Sequence, residues 1–156
     1  MPAGQKVDVL IPSFSRAINL CLKEITKTAP KFNDIFESQD WKTEKEITVS
    51  LVIDSTGYKG TIYFHFGKPV AKFIVEKMLG EAVDENSLDM LDGIKEVTNI
   101  FFGLAKTKLN DAKINLNLSL PMAQWSKDMI HSTEPKKSII LPILLNDLDF
   151  YLEVII

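Results

Sequence analysis

An acid, an amide and a glycine recur at helical spacing near the middle of the chain. On an ideal helix, with about 100° per residue, five residues fall on one line: Asp92, Glu96, Asn99, Gly103 and Lys106. Residues three or four positions apart on a helix point the same way, so the carboxylate of Glu96 and the amide of Asn99 can enter one site together. We call these five residues the stripe. Its composition predicts a docking surface that carries polar groups able to orient a small molecule.

The apolar residues of the same segment lie on the opposite side of the predicted helix. They are Met90, Ile94, Val97, Phe101 and Leu104. This set is expected to face the core, which leaves the stripe to solvent or to a partner. Ile100 and Phe102 fall on the shoulders between the two sides, and we expect at least one of them to be an exposed or half-exposed apolar contact.

The stripe is unusual for a face that only meets water. Asn is a mediocre helix residue, and Gly costs about 1 kcal/mol relative to Ala in a helix. A glycine at position 103 removes bulk and lets another surface approach closely. The alternative interpretation is that Glu96 is an ordinary surface charge, Asn99 a tolerated polar residue and Gly103 a tight contact between helices. The residue types alone leave both interpretations open.

Composition narrows the class of protein. The chain has 156 residues, of which 46% are hydrophobic and 25% charged, and this predicts one globular domain over residues 1–156. A net charge of −3 provides no field to attract a polyanion, so we expect no nucleic-acid binding.

The cysteine and histidine content argues against disulfides and metal. Cys21 is the single cysteine, and the two histidines, His65 and His131, are far apart in the sequence. We therefore predict no disulfide framework and no metal site. The sequence also has no apolar run long enough for a membrane helix and no pattern of a signal peptide, so a cytoplasmic protein is expected.

The first half of the chain predicts a helix followed by paired strands. The helix should run from Pro12 to Thr28, with the proline in its first turn. A short strand is expected at 32–36, and two alternating segments at 47–53 and 62–66 should form a hairpin around a turn at 57–60.

The second half predicts two helices and further strands. Gly67 and Pro69 should open a helix that Gly80 ends, and a long helix over 84–109 should be capped by Asp84 or Asn86. The remaining predictions are a strand at 114–120 ended by Pro121, an irregular segment at 122–137, a strand at 139–145 with Pro142 at an edge or bulge, and a strand at 148–156 after a turn at Asn146-Asp147. This order favours an α+β fold with a largely antiparallel sheet and long helices packed on one face.

The long helix resembles the signature helix of the CheC/CheX/FliY family. The similarity rests on Glu96-x-x-Asn99, the glycine at 103 and the stretch Ala105-Lys106-Thr107. The segments 11–19, 57–66 and 72–80 also resemble the opening helix, central hairpin and short helix of CheX-like proteins. The resemblance implies a CheC-like fold and phosphatase activity on phosphorylated CheY-type receiver domains.

The resemblance favours the one-site, CheX-like type. The first helix has Arg16 where a second site would have glutamate, although Asn19 keeps the matching spacing. Two positions depart from the family pattern: Lys95 stands where glycine is usual, and Leu104 where a polar residue is common. Neither departure removes the acid or the amide.

The resemblance also implies a role for each residue of the stripe. Asn99 would orient the attacking water and Glu96 would pair with a lysine of the receiver, while Mg²⁺ would come from the receiver and the chain would need no cofactor of its own. The remaining partner contacts would be Asp92, Ile100, Phe102, Gly103 and Lys106.

Two other functions remain open at this point. A non-catalytic adaptor could use the same helix face to bind a response regulator or a flagellar-switch component. A small-ligand-binding domain would need a lined pocket, which the sequence does not indicate. The resemblance further implies a homodimer, for which the C-terminal strand ending at Ile156 is a candidate edge.

Overall fold

The structure, a computed structural model, describes residues 3–55, 58–130 and 133–155. Within these residues the chain forms helices and one antiparallel sheet. The helices are α1 (Ala3–Thr26), α2 (Lys68–Leu79) and α3 (Leu88–Asp111), with a 3₁₀ turn at Ser126–Asp128. The strands are β1 (Lys31–Phe32), β2 (Phe36–Gln39), β3 (Ile47–Ser55), β4 (Tyr58–Phe66), β5 (Met122–Trp125), β6 (Lys137–Leu145) and β7 (Leu148–Ile155).

The strands are ordered β1-β6-β7-β4-β3-β5, and β2 also pairs with β6. Every pairing between these strands is antiparallel. The predicted hairpin is confirmed as β3 and β4, paired from Ile47 opposite Phe66 to Ser55 opposite Tyr58. The predicted turn at 57–60 is wrong at residues 58–60, which belong to β4, and Gly57 lies outside the described residues.

The helices cover one face of the sheet, as the apolar patterns predict. Phe64 of β4 meets Phe14 of α1 and Phe101 of α3, with ring centroids 5.8 and 5.6 Å apart. Phe66 stacks on Phe150 of β7 at 4.9 Å. All five rings are fully buried. The α+β class with helices packed on one face is therefore confirmed.

The ends of α2 confirm the sequence prediction, whereas the start of α3 corrects it. Gly67 is the N-cap of α2, and Gly80 ends the helix in the left-handed region at a φ of 73°, where glycine has no side chain to strain. The cap of α3 is Ser87, whose hydroxyl accepts a hydrogen bond from the Met90 N–H at 3.2 Å. Asp84 and Asn86 were the predicted caps, but Asp84 instead accepts from the Asn86 N–H within the loop.

The first helix begins earlier than predicted. It starts at Ala3, so Pro12 lies inside α1 rather than in its first turn. A proline inside a helix removes the hydrogen bond to the carbonyl four residues before it, and here both Pro12 and Asp8 lie on the exposed side. Leu10 and Ile11 are buried in the core. Packing of these two residues in the core stabilises the part of α1 that precedes the proline.

The predicted strand at 114–120 is wrong, and a strand lies instead in the segment predicted as irregular. Residues 117–119 run beside β3 with one isolated bridge, between Leu118 and Ile53. Side chains replace part of the ladder: the Ser119 hydroxyl accepts from the Val52 N–H at 2.8 Å, and the Ser55 hydroxyl accepts from the Asn117 N–H at 2.6 Å. Regular pairing with β3 resumes in β5, after Pro121.

Two other strand predictions need correction. The single strand expected at 32–36 is divided into β1 and β2, both of which pair with β6. The proline of β6, Pro142, was expected at an edge or bulge, but β6 is paired on both sides. Pro142 faces Tyr151 of β7. On its other side it falls in the gap between β1 and β2, where its carbonyl accepts a hydrogen bond from the Asn33 N–H at 3.0 Å.

The C-terminal strand is not an edge of the sheet. The turn before it is confirmed, with φ of 52° at Asn146 and 61° at Asp147, as a tight hairpin of this type requires. Strand β7 lies between β6 and β4, so the prediction of a free edge there is wrong. Ile156 itself is outside the described residues. Among the described strands, the edges are β5 on one side and β1 with β2 on the other.

No helix in the described ranges is long and apolar enough to cross a membrane.

Candidate functional site

All five residues of the stripe lie on the exposed face of α3. The helical spacing predicted this exposure for all five: Asp92, Glu96, Asn99, Gly103 and Lys106. The long, capped helix holds them in one line, and its buried side anchors that line to the sheet. The structure therefore presents the acid, the amide and the glycine together, on one rigid element.

The opposite side of α3 is buried, with one exception. Met90, Ile94, Val97 and Phe101 are fully buried as predicted, but Leu104 is 37% exposed. The prediction for Leu104 was wrong because no described helix or strand covers the side of α3 on which Leu104 lies. Helix α2 packs against α3 further back, at Gly93.

The two shoulder residues differ from each other. Ile100 is 37% exposed and does not belong to the core. Phe102 is half-buried and packs against the core, so only part of its ring is available at the surface. The expectation of an exposed apolar contact beside the stripe is met by Ile100.

The side chains of Glu96 and Asn99 have no partner among the residues that the structure describes. In the part of the chain that the structure describes, neither side chain makes a hydrogen bond or an ion pair. The helix itself explains why for Glu96, because its neighbours three and four residues away are Asp92, Gly93, Asn99 and Ile100, and none of them is a cation. A free carboxylate and a free amide, one turn apart, can together bind a cation and orient a water molecule.

The two glycines of α3 have different surroundings. A Cβ atom at position 93 would lie 2.6 Å from Cγ1 of Val75, so Gly93 is the tight contact between α3 and α2. A Cβ atom at position 103 would meet no described atom within 4 Å. The interpretation of Gly103 as a tight helix–helix contact is therefore wrong, and that role belongs to Gly93.

The first helix does not repeat the acid–amide arrangement. Arg16 is exposed and Asn19 is half-buried on α1, which packs along α3. An arginine cannot offer the negative charge that Glu96 offers at the equivalent spacing.

A second polar group, which sequence reasoning missed, lies on the sheet face away from the helices. Its members, which we call the outer cluster, are Thr48, His65, Lys136, Ser138 and Glu153. The Glu153 carboxylate accepts from His65 Nε2 at 2.8 Å and from the Ser138 hydroxyl at 2.5 Å, and Lys136 Nζ lies 3.4 Å away. His65 Nδ1 lies 3.2 Å from the Thr48 hydroxyl.

The charge of Glu153 is stabilised within this cluster. Burial raises the pKa of the carboxyl, but hydrogen bonds from His65 and Ser138 and the electrostatic effects of His65 and Lys136 outweigh burial, so the net pKa is lowered. The sequence shows His65 and Glu153 only as ordinary strand residues. Their meeting depends on the register of β4 and β7, in which Tyr63 faces Glu153 and His65 faces Tyr151.

The single cysteine and the two tryptophans of the chain have structural positions. Cys21 is buried in the core, and burial raises the pKa of its thiol to about 11. Trp41 packs edge-on against His65 and Tyr151. Trp125 lies on β5 under the Lys68 ammonium and lines a cavity of about 570 Å³, although the sequence indicated no pocket. His131 lies outside the described residues.

The described residues contain no group of three or more His, Cys, Asp or Glu side chains placed to hold a metal ion.

The sequence matches one family model over more than half of its length. That family is described as "Chemotaxis phosphatase CheX", and the match covers residues 48–144, which include the whole of the stripe. A search of curated proteins found no match.

Solved structures share the fold over nearly the whole chain. A CheC-like superfamily protein from Shewanella sp. PV-4 is 21% identical, with a TM-score of 0.82 over 94% of this chain and 96% of the other. The chemotaxis protein CheX from Vibrio vulnificus is 20% identical, with a TM-score of 0.80 over 94% and 97%. A CheX from Borrelia burgdorferi, in complex with CheY, BeF3 and Mg²⁺, is 18% identical, with a TM-score of 0.70 over 93% and 96%.

Proposed function

Because this chain belongs to the CheX family, we propose that it accelerates hydrolysis of the aspartyl phosphate on a CheY-type response regulator. The observation that supports this most is that Glu96 and Asn99 are exposed on one face of α3 and have no partner among the described residues. The Borrelia burgdorferi relative forms a complex with CheY, BeF3 and Mg²⁺. That complex supports a receiver domain as the partner.

The reaction needs a positioned water molecule more than covalent help. The bond from the water oxygen to phosphorus forms as the bond from phosphorus to the aspartyl oxygen breaks, and the water proton leaves with the phosphate. The products are the free carboxylate and inorganic phosphate. The amide of Asn99 can accept a hydrogen bond from this water through its oxygen and donate one through its nitrogen. It orients the water without adding negative charge near the phosphoryl group.

Glu96 has a different role in this proposal. Its carboxylate would be a poor base beside an anionic phosphoryl group, because the two charges repel each other. It instead pairs with a lysine of the receiver and fixes the register of docking. The lack of any cation at helical spacing around Glu96 leaves its charge available for that pairing.

The rest of the surface completes the docking site. Asp92, Ile100, Phe102 and Lys106 border the pair, and the open space above Gly103 lets the partner approach the helix backbone. The Mg²⁺ that supports the chemistry belongs to the receiver, and the chain supplies no cofactor of its own.

The first test is a screen of the phosphorylated receivers of the host. Wild-type protein should accelerate phosphate release from at least one receiver in the presence of Mg²⁺, while Asn99→Ala should leave hydrolysis near its spontaneous rate. A receiver that binds the wild-type chain and keeps its spontaneous rate would overturn the phosphatase and favour the adaptor that uses the same face.

A second test separates the two side chains. Glu96→Ala should lose receiver binding and activity together, whereas Asn99→Ala should keep most of the binding. Equal loss of binding in both variants would contradict the division of roles.

We further propose that residues 1–156 act as one domain and pair as a homodimer through a sheet edge, either β5 or β1 with β2. An edge strand has unpaired backbone groups that a second copy can meet. Light scattering that gives the mass of a monomer at all concentrations would contradict the dimer.

A further inference from the structure

Next to Asn99 and Gly103, α3 carries two exposed apolar side chains that lie outside the hydrophobic core. Ile100 and Leu104 are each 37% exposed, and neither belongs to the core or packs against it. They are four residues apart, so on a helix they form one continuous ridge. We call this pair the apolar ridge.

Packing in the core does not explain the ridge, and helix propensity does not explain Ile100. A β-branched residue such as Ile100 is less favourable in a helix than Gln, Glu or Lys, which an exposed position would usually hold. The ridge is also next to Asn99 and Gly103, at the point where a Cβ atom of residue 103 would meet only open space. A partner that approaches the helix backbone there would cover both apolar side chains.

We propose that the apolar ridge strengthens binding of the receiver, by contacting an apolar side chain that borders the receiver's phosphorylation pocket. This inference rests on the proposed function, and it names Leu104 as a receiver-binding residue. The occupant is the receiver rather than a second copy of this chain, because the ridge is continuous with Glu96 and Asn99. The unpaired strand edges, which a second copy would use, lie in the sheet and not on α3.

The contribution of the ridge should differ in kind from that of Asn99. An apolar contact is made equally with the bound receiver and with the transition state, so it strengthens binding without changing the chemical step. It also involves no charge, so salt should screen it far less than the ion pair of Glu96. A side chain with only a structural role would not produce this pattern.

The test replaces the ridge with polar side chains of similar length. Leu104→Gln and the double variant with Ile100→Gln keep good helix-forming residues on α3. The matched control is Val52→Thr, because Val52 is 50% exposed and its neighbours in β3, Leu51 and Ile53, point into the core. Thermal unfolding of all variants establishes that they fold.

For the double variant we expect a rise in KM of about tenfold, with kcat within about twofold of wild type and the same factor at low and high salt. The dissociation constant for a receiver loaded with BeF3 and Mg²⁺ should rise by the same factor. The control should match wild type in every measurement.

Three results would overturn the inference. An unchanged KM would show that the ridge does not touch the receiver, and a fall in kcat at unchanged KM would give it a different role. A change of oligomeric state with unchanged receiver binding would assign the ridge to a second copy. If Asn99→Ala loses activity while the ridge variants behave as wild type, only the ridge inference fails. If wild-type protein binds no loaded receiver, the proposed function fails with it.

Discussion

The polar side chains on the exposed face of α3 and those in the outer cluster of the sheet differ in whether they have partners within the protein. On α3, Glu96 and Asn99 have no partner among the described residues. In the outer cluster, Glu153 has three partners and is only 1% exposed. Polar groups that are buried must be paired because an unpaired one costs free energy, whereas exposed ones can stay free at little cost.

This difference distinguishes the polar residues that stabilise the fold from those that are available to a partner. Substitutions in the outer cluster should change stability and leave the chemistry of the folded protein alone. Substitutions in the stripe should change function without lowering stability. The following variants test that contrast and the difference between the two glycines of α3.

The largest effect on stability is expected from Glu153→Gln. The substitution keeps the shape of the side chain but removes the charge that Ser138, His65 and Lys136 surround, so the free energy of unfolding should fall by about 2–4 kcal/mol. Urea unfolding measures the change. The control is Glu37→Gln, which breaks the exposed pair with Lys137 at 3.1 Å and should cost less than about 1 kcal/mol.

The pH dependence of the same pair of variants sharpens this test. Because the folded pKa of Glu153 lies below its ordinary value of 4.5, its stabilisation is complete above that value. It is lost as the pH falls through the lower, folded pKa. The Glu153→Gln variant should lack this part of the acid-side decline. If both variants lost equal stability at neutral pH, the outer cluster would contribute nothing beyond a surface pair.

A smaller loss of stability is expected from Gly93→Ala. The new Cβ atom would lie 2.6 Å from Cγ1 of Val75, so α2 or the valine must shift. We expect a net loss of about 1–2 kcal/mol, since the better helix propensity of alanine offsets part of the strain. Activity per folded molecule should stay close to that of wild type. If Gly93→Ala had the same midpoint of urea unfolding as wild type, the α2–α3 contact would not be tight.

The smallest change in stability, with the opposite sign, is expected from Gly103→Ala. Nothing in the described structure obstructs the new Cβ atom, so helix propensity should raise stability by up to about 1 kcal/mol. Receiver dephosphorylation should nevertheless weaken, because the methyl group occupies space that the partner needs. A variant that is more stable and equally active would refute the role of Gly103 in docking.

The sequence predicted α3 and its exposed face well because both depend on local periodicity. The spacing of Glu96, Asn99 and Gly103 is a property of one helix, and no distant contact alters it. The exposure of Leu104 could not be read in the same way, since it depends on where α2 crosses α3. That crossing is fixed by Gly93, whose importance the sequence alone did not indicate.

The sheet shows where local patterns are insufficient. The alternation at 114–120 is a true strand pattern, yet hydroxyl groups of Ser119 and Ser55 take the place of ladder partners there. The outer cluster joins residues that are 88 positions apart in the sequence, His65 and Glu153. Only the register between β4 and β7 brings these two residues together, and that register cannot be read from any short stretch of the sequence.

The most direct test of the central claim is a single-turnover measurement with Asn99→Ala and a phosphorylated cognate receiver. Asn99 is exposed and forms no described internal contact, so the variant should unfold at the same temperature as wild type and bind the receiver with an affinity within a few-fold of wild type. We predict that the maximal rate of phosphate release falls by about a hundredfold or more, towards the spontaneous rate. A variant that binds the receiver and retains the full rate would contradict the account.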